Sequence, residues 1–488
     1  MTSVTKRIRV PAGAAVDNES PTGDAAVRST PLGPDNCPPD VIDSAHGPLS
    51  HRAPASVTLS LAQAQQVLQP RSSRGGQLLP GSADSIRLER RLADEAILSE
   101  PPPASNNPVV QYLAATHEKL AAEGLPTDAT GVRVFVVGQA FLQPGRSLEI
   151  TAHGRDVVRA IAGPTALATG ADVRVMPVNT DDFGRYVSAT LDGWTWPPSP
   201  REALQKKKVT LKSLGDLGAR DLIKSVMESA YYVNSVRERV PSDGKTSLLC
   251  ITMGDTVANT ATLINDAVLT QAEADGSRVS ALSEELLSRS LAFPDIDDVG
   301  AAGKRVIADE IRVALAREPW ASQLETARQA LSAEVRAARE RGILVIKSSG
   351  NYLAVAKAYG VPSDATDNFM AAPGMLVVGA ADIGDPDRDD DDRVANFSDP
   401  ADVVQAGVHI DVGEGDEAGT SFSNPIMVSI AALMLKANPR LDPARIVAIL
   451  ENPRVARKLP GDDRDRFGIV DPVPAVRMAR DQAGRSSH

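Results

Sequence analysis

Cysteine is scarce in this chain: its 488 residues include two, Cys37 and Cys250. Two thiols in such different contexts build no disulfide framework, so a packed core has to hold the fold, and a reducing compartment is allowed. Cys250 sits in an apolar strand-like run and reads as a small core residue. Aromatic residues are also few, at 3%, which argues against the stacking platforms that single-stranded nucleic acid needs. No run of Lys and Arg stands out and the net charge is −11, so there is no electrostatic footprint for nucleic acid. No stretch of about 18 apolar residues occurs, so no transmembrane helix is expected. Residues 1–30 contain no apolar core of a secretory signal. The expected location is cytoplasmic, or exported by a route without a signal peptide.

The length allows one large α/β domain plus an extension. Residues 1–55 are rich in Pro, Gly, Asp and Ser without periodicity and read as disordered. Residues 56–128 are mixed. Arg87 to Leu98 has a helical pattern, Pro101-Pro102-Pro103 breaks it, and Pro108 to Glu123 suggests a second helix. This part reads as a tether with docking helices or as a propeptide-like extension. From Val132 onward strands alternate with helices, the pattern of a parallel sheet covered on both faces. The domain is expected over 129–478, with a disordered tail at 479–488. Between Gly254 and Asn351 the spacing is long for one crossover, so a helical insertion is expected around 258–330.

The richest segment is Gly419-Thr420-Ser421, directly ahead of an apolar helical run from Pro425 to Leu435. A serine on a sharp turn that opens a buried helix can sit beside free N–H groups, in the positive field of the helix dipole. Given a base, such a hydroxyl can act as a nucleophile. Serine is equally a common N-cap, so this segment alone supports both readings.

Further segments decide between them. His153-Gly154 opens the helix-like run Val157 to Ile161. Ile343 to Lys347 reads as a buried strand leading into Ser348-Ser349-Gly350-Asn351. Leu248 to Ile251 is another, ending in Thr252-Met253-Gly254. Leu376 to Ala380, Val394 to Ser398 and Phe467 to Asp471 follow in that order. Together with Gly-Thr-Ser and a proline four residues later, these segments resemble the subtilisin-like serine protease family, over about 129–478. The resemblance implies a doubly wound α/β fold: a mostly parallel sheet with helices on both faces, here with a partly disordered N-terminal extension. It implies Ser421 as nucleophile, His153 as general base and Asn351 as oxyanion donor. It also implies that Thr252, Met253, Gly254, Ser348, Ser349 and Gly350 line a groove for a polypeptide substrate.

The family's aspartate motif is not matched. The strand expected to end in Asp-Thr/Ser-Gly reads Val132-Arg133-Val134-Phe135-Val136-Val137-Gly138, with Val136 and Val137 in place of the acid and its neighbour. Glu149, Asp156 and Asp43 are the acids available to stand in. Two readings follow from this, a serine endopeptidase using Ser and His with reduced activity, and an impaired or inactive relative that binds peptides. An esterase or acyltransferase on the same fold is a weaker third.

No cofactor is required by this chemistry. The acidic run Asp385 to Asp392 alternates carboxylates in the manner of calcium loops, and many family members bind calcium. The run lacks the turn glycine and the distal bidentate glutamate, so calcium is possible but unsupported and no metal site is assigned. His46, His51, His117, His409 and His488 show no ligand spacing. The expected partner is a polypeptide substrate, with no nucleic acid and no membrane; the oligomeric state is not legible.

Overall fold

The computed structural model describes residues 89–94, 96, 107–142, 149–205, 209–274, 282, 286, 299–358, 360, 367–383, 398–408, 410–411, 416–457 and 465–485. Asp43, His409 and the acidic run 385–392 therefore lie outside the described residues.

Among the described residues the centre of the molecule is a nine-stranded sheet. Its strands are β1 (Arg133–Leu142), β2 (Glu149–Ile150), β3 (Asp172–Asn179), β4 (Ser247–Ile251), β5 (Ile343–Ser348), β6 (Leu376–Ala381), β7 (Ala401–Ala406), β10 (Ala456–Arg457) and β11 (Asp465–Val470). A small ribbon, β8 (Ile410–Asp411) with β9 (Asp416–Glu417), stands apart. The main sheet runs β10-β11-β7-β6-β5-β4-β1, with β3 parallel to β1 on its other side and β2 antiparallel at its end. Every pairing from β3 through β1, β4, β5, β6 and β7 to β11 is parallel. Ser-Leu-Leu-Cys-Ile in β4 and Ile-Leu-Val-Ile-Lys-Ser in β5 are buried along their whole length, as central strands covered on both faces must be.

Register divides these strands between two cores. Val136, Cys250, Ile346 and Leu376 are cross-strand neighbours and belong to one apolar cluster. That face carries α2 (Ala152–Ala162), α10 (Thr420–Ala437), α11 (Pro443–Leu450) and α12 (Pro472–Arg485). Val137, Ile251 and Val345 belong to the opposite cluster, covered by α3 (Thr180–Thr190), α4 (Pro200–Leu204), α5 (Leu211–Arg239), α6 (Val257–Ala274), α7 (Val299–Leu315), α8 (Trp320–Glu340) and α9 (Leu353–Ala358). The doubly wound, mostly parallel fold expected from the sequence is the fold observed. The long spacing before Asn351 is filled by α6, α7 and α8, which pack with α5 on that second face.

Two boundaries differ from the expectation. Residues 479–485 are not a disordered tail: α12 continues to Arg485, and Val473, Val476 and Ala479 are buried. The Asn438 side chain holds the Ala479 carbonyl at 3.1 Å. The packed unit also starts before residue 129. Helix α1 (Pro108–Ala122), capped by Asn107, buries Val109, Leu113 and Leu120 in the first core, which extends back to Leu92. Among the described residues no helix is long and apolar enough to cross a membrane.

Candidate active site

Helix α10 is buried on all sides from Thr420 to Leu435, so its first turn is fixed by contacts from every direction. Gly419 precedes it at φ +158°. A Cβ on Gly419 would lie 3.2 Å from Asn351 Nδ2 and 3.2 Å from Ser421 Oγ. These two atoms thus flank one small volume beside the backbone. Phe422 N–H donates to the Gly419 carbonyl at 3.1 Å and Thr420 N–H to Asn351 Oδ1 at 2.9 Å. Among the described residues nothing accepts from the Ser421 N–H between them, one of the donors a helix start leaves unsatisfied. Pro425, inside the helix, has no N–H for the Ser421 carbonyl, which loosens this turn. Gly419→Ala is expected to cost about 1–3 kcal/mol from its backbone region alone and to displace Asn351 or Ser421. A thermal melt and a turnover assay check this, and both values should fall.

Asn351 follows β5 on a turn that several side chains hold. Its Oδ1 bond to Thr420 aims Nδ2 towards Gly419 and Ser421. Gly350, at φ +118°, donates its N–H to Thr420 Oγ1 at 3.2 Å. A Cβ on Gly350 would collide with the Asp399 carboxylate. Asp399 takes the Tyr352 N–H at 3.2 Å and gives its own N–H to the Gly350 carbonyl at 3.0 Å. Ser348 Oγ donates to the Thr420 carbonyl at 3.0 Å. The end of β5 and the start of α10 are therefore fastened together at three points.

His153 is the second residue of α2, whose N-cap is Thr151, bonded to the Gly154 N–H at 3.0 Å. Its ring meets Phe422 edge-on, with centroids 5.4 Å apart, beside the residue that follows Ser421. Ser421 Oγ and the imidazole share no hydrogen bond among the described residues, and no described carboxylate is bonded to the ring. Burial alone lowers the imidazole pKa, to about 4. Val136 and Val137 are both buried and face opposite cores, so neither supplies a polar group. Asp156, one turn along α2, is buried with Arg159 Nη1 at 3.9 Å. Glu149 sits on β2 beside the end of β1.

The depressed pKa has a definite sign. The folded state keeps His153 neutral well below the pH at which the unfolded chain protonates it. Its contribution to stability is complete above about pH 6.5 and is lost as pH falls from there towards 4. The acid limb of kcat/KM is expected near pH 4 rather than near 6.5. A pH–rate profile checks this: an acid limb near 6.5 would mean that the ring is solvated, and one well above 6.5 would point to a carboxylate acting on it.

Thr252, Gly254, Ser348, Ser349 and Gly350 are brought together at the carboxyl ends of β4 and β5, but they are buried; Met253 is half-buried. Residues that the motif reading did not single out are Asn368, whose Nδ2 donates to the Ser348 and Ser349 carbonyls at 2.8 Å each, Asp399 and Phe422. Asp399 directly follows the Asn-Phe-Ser stretch and Phe422 the Gly-Thr-Ser, so both stood next to a readable signal. Asn368 had none. Among the described residues no group of three or more His, Cys, Asp or Glu is placed to hold a metal ion.

A family model described as "Subtilase family" matches residues 149–468, about two thirds of the chain. The chain belongs to the subtilase family. The match begins after β1, the strand on which the aspartate motif is not matched. Subtilases are serine peptidases, which makes a peptide the expected substrate class. No curated protein matches the chain in sequence. Among solved structures it is similar to a cold adapted subtilisin-like serine proteinase, at 14% identity and a TM-score of 0.34, over 71% of this chain and 92% of that one. It is also similar to MycP1 from Mycobacterium smegmatis (16%, TM-score 0.39, 77% and 87%) and to the prenylagaramide maturation protease PagA (15%, 0.36, 74% and 98%). The family assignment rests on the matched model.

Proposed function

We propose that this subtilase is a serine endopeptidase working by a Ser-His pair with an asparagine oxyanion donor. Ser421 attacks the scissile carbonyl, neutral His153 takes its proton, and Asn351 Nδ2 with the Ser421 N–H receives the developing oxyanion. The observation that carries this reading is the pair of 3.2 Å approaches of Asn351 Nδ2 and Ser421 Oγ to a single point beside Gly419. The Thr420 N–H holds the amide in that orientation before any substrate arrives, which is the preorganisation such catalysis requires.

The second reading, a peptide-binding relative with little or no turnover, is favoured by the imidazole. Among the described residues desolvation is the cause of its lowered pKa and no carboxylate is bonded to it. In a Ser-His-Asp enzyme the aspartate holds the tautomer, and its loss costs roughly 10⁴ in turnover. The two readings separate on unfolded protein substrates. Cleavage that disappears with Ser421→Ala supports the endopeptidase; tight peptide binding without cleavage supports the other. The full chain should be used, because α1 and Leu92 belong to the core and truncation at residue 128 would open it.

A further inference from the structure

We propose that the residue donating the scissile carbonyl must be small and uncharged, glycine, alanine or serine, because Asn368 and the Gly254–Gly350 contact close the crevice that its side chain would enter. This rests on the endopeptidase reading above.

Gly350 precedes Asn351 at the carboxyl end of β5, so on this proposal a carbonyl held between Ser421 Oγ and Asn351 Nδ2 directs the side chain of its own residue to the crevice between the carboxyl ends of β4 and β5. One wall of that crevice is Thr252-Met253-Gly254 and the other is Ser348-Ser349-Gly350. The walls touch: a Cβ on Gly254 would lie 3.3 Å from Gly350 Cα and 3.2 Å from Asn368 Nδ2. The gap therefore admits no side chain longer than that of alanine or serine, since van der Waals contact between carbons needs about 3.5–4.0 Å.

Asn368 is tied across the crevice. Its amide reaches the Ser348 and Ser349 carbonyls on one wall. Its Oδ1 accepts the Met370 N–H at 3.0 Å, and Phe369 N–H bonds the Asp255 carbonyl beside Gly254 at 2.9 Å. Displacing this amide would strand the Ser349 carbonyl, a cost of about 1–3 kcal/mol for an unsatisfied buried group, and leave the Ser348 carbonyl with the long contact from Lys347 Nζ at 3.4 Å. Asp255, the acid nearest the crevice in sequence, does not serve a basic substrate side chain. It is buried and accepts from Ser225 at 2.6 Å, Asn259 at 3.2 Å and Thr260 at 3.2 Å.

The test is a set of otherwise identical peptides carrying Gly, Ala, Ser, Val, Leu, Phe or Arg at the position of the scissile carbonyl. It is run on the wild type and on Asn368→Ala, with serine labelling by a fluorophosphonate measured in parallel. Each methylene is worth about 10–200-fold where a pocket discriminates. The wild type is expected to favour Gly, Ala or Ser over Leu and Phe by about 10²-fold or more in kcat/KM. Asn368→Ala is expected to narrow that ratio at least tenfold, read between peptides on the same variant so that any loss in its overall labelling or turnover cancels. The wild-type profile stands alone if the variant fails to fold. A labelled enzyme that prefers Leu, Phe or Arg overturns this inference and leaves the endopeptidase reading intact. Absence of both labelling and cleavage overturns the two together.

Discussion

Ser421→Ala is expected to reduce cleavage to the uncatalysed background of the folded site, and His153→Ala to fall to within a few-fold of the same level. The size of the loss follows from the proposed Ser-His pair working without an acid. In subtilisin, removing the serine or the histidine costs about 2 × 10⁶ in turnover, and removing the aspartate alone about 3 × 10⁴. On the reading that the Ser-His pair works without a carboxylate, most of the second factor is already absent. The further loss should be on the order of 10². The double variant should be no worse than either single one, because a nucleophile and its base act as a unit. Steady-state kinetics on one peptide with all three variants checks this. Additive losses would mean that the two residues do not work as a pair. Among the described residues no hydrogen bond to Ser421 Oγ is present, so the Ser421→Ala melt should stay near wild type. His153→Ala also removes the ring packed on Phe422, so its kinetics are read below its own melting temperature.

Asn351→Ala is expected to lower kcat by about 10²–10³, equivalent to roughly 2.7–4 kcal/mol of barrier, with little change in KM. An oxyanion donor acts on charge that exists only in the transition state, so ground-state binding is not its main contribution. The variant also frees the Thr420 N–H, which Asn351 Oδ1 holds at 2.9 Å, so some loss of stability should accompany it. Asn351→Asp separates the two effects. A carboxylate keeps an acceptor for Thr420 but offers no donor, and places negative charge where the oxyanion would form. Activity should fall at least as far as with alanine, while stability recovers. If Asn351→Ala instead raises KM and leaves kcat alone, its amide serves substrate binding rather than the oxyanion.

The parallel sheet was legible because central strands announce themselves. Leu248 to Ile251 and Ile343 to Ile346 are apolar at every position, and residues at their ends, Thr252 and Asn351, fall where a parallel sheet gathers its functional groups. The turn that opens α10 was legible because Gly419, Ser421 and Pro425 each answer a local backbone requirement within seven residues. The contacts that complete the site were not legible. Asn368 meets Ser348 and Ser349 across about twenty residues, and Phe422 meets His153 from the other end of the domain. Neither pairing leaves a periodic trace, since both depend on how α2, α10 and the strand ends close on one another. The extent of the packed unit was misjudged at both ends for a related reason. The polar residues of α12 and the proline-flanked start of α1 look like boundary sequence. Their buried positions, Val476 and Ala479, Val109 and Leu113, are spaced for one narrow apolar stripe that is covered only once the domain has folded.

The most direct test of the central claim, that Ser421 is an activated nucleophile, is the site of covalent attachment of a fluorophosphonate to the full-length protein, read by peptide mass spectrometry at neutral pH. The account predicts one adduct, on Ser421, absent after denaturation and absent from the Ser421→Ala and His153→Ala variants. A folded protein that takes up no label, or one whose label lies elsewhere and survives both substitutions, would contradict it.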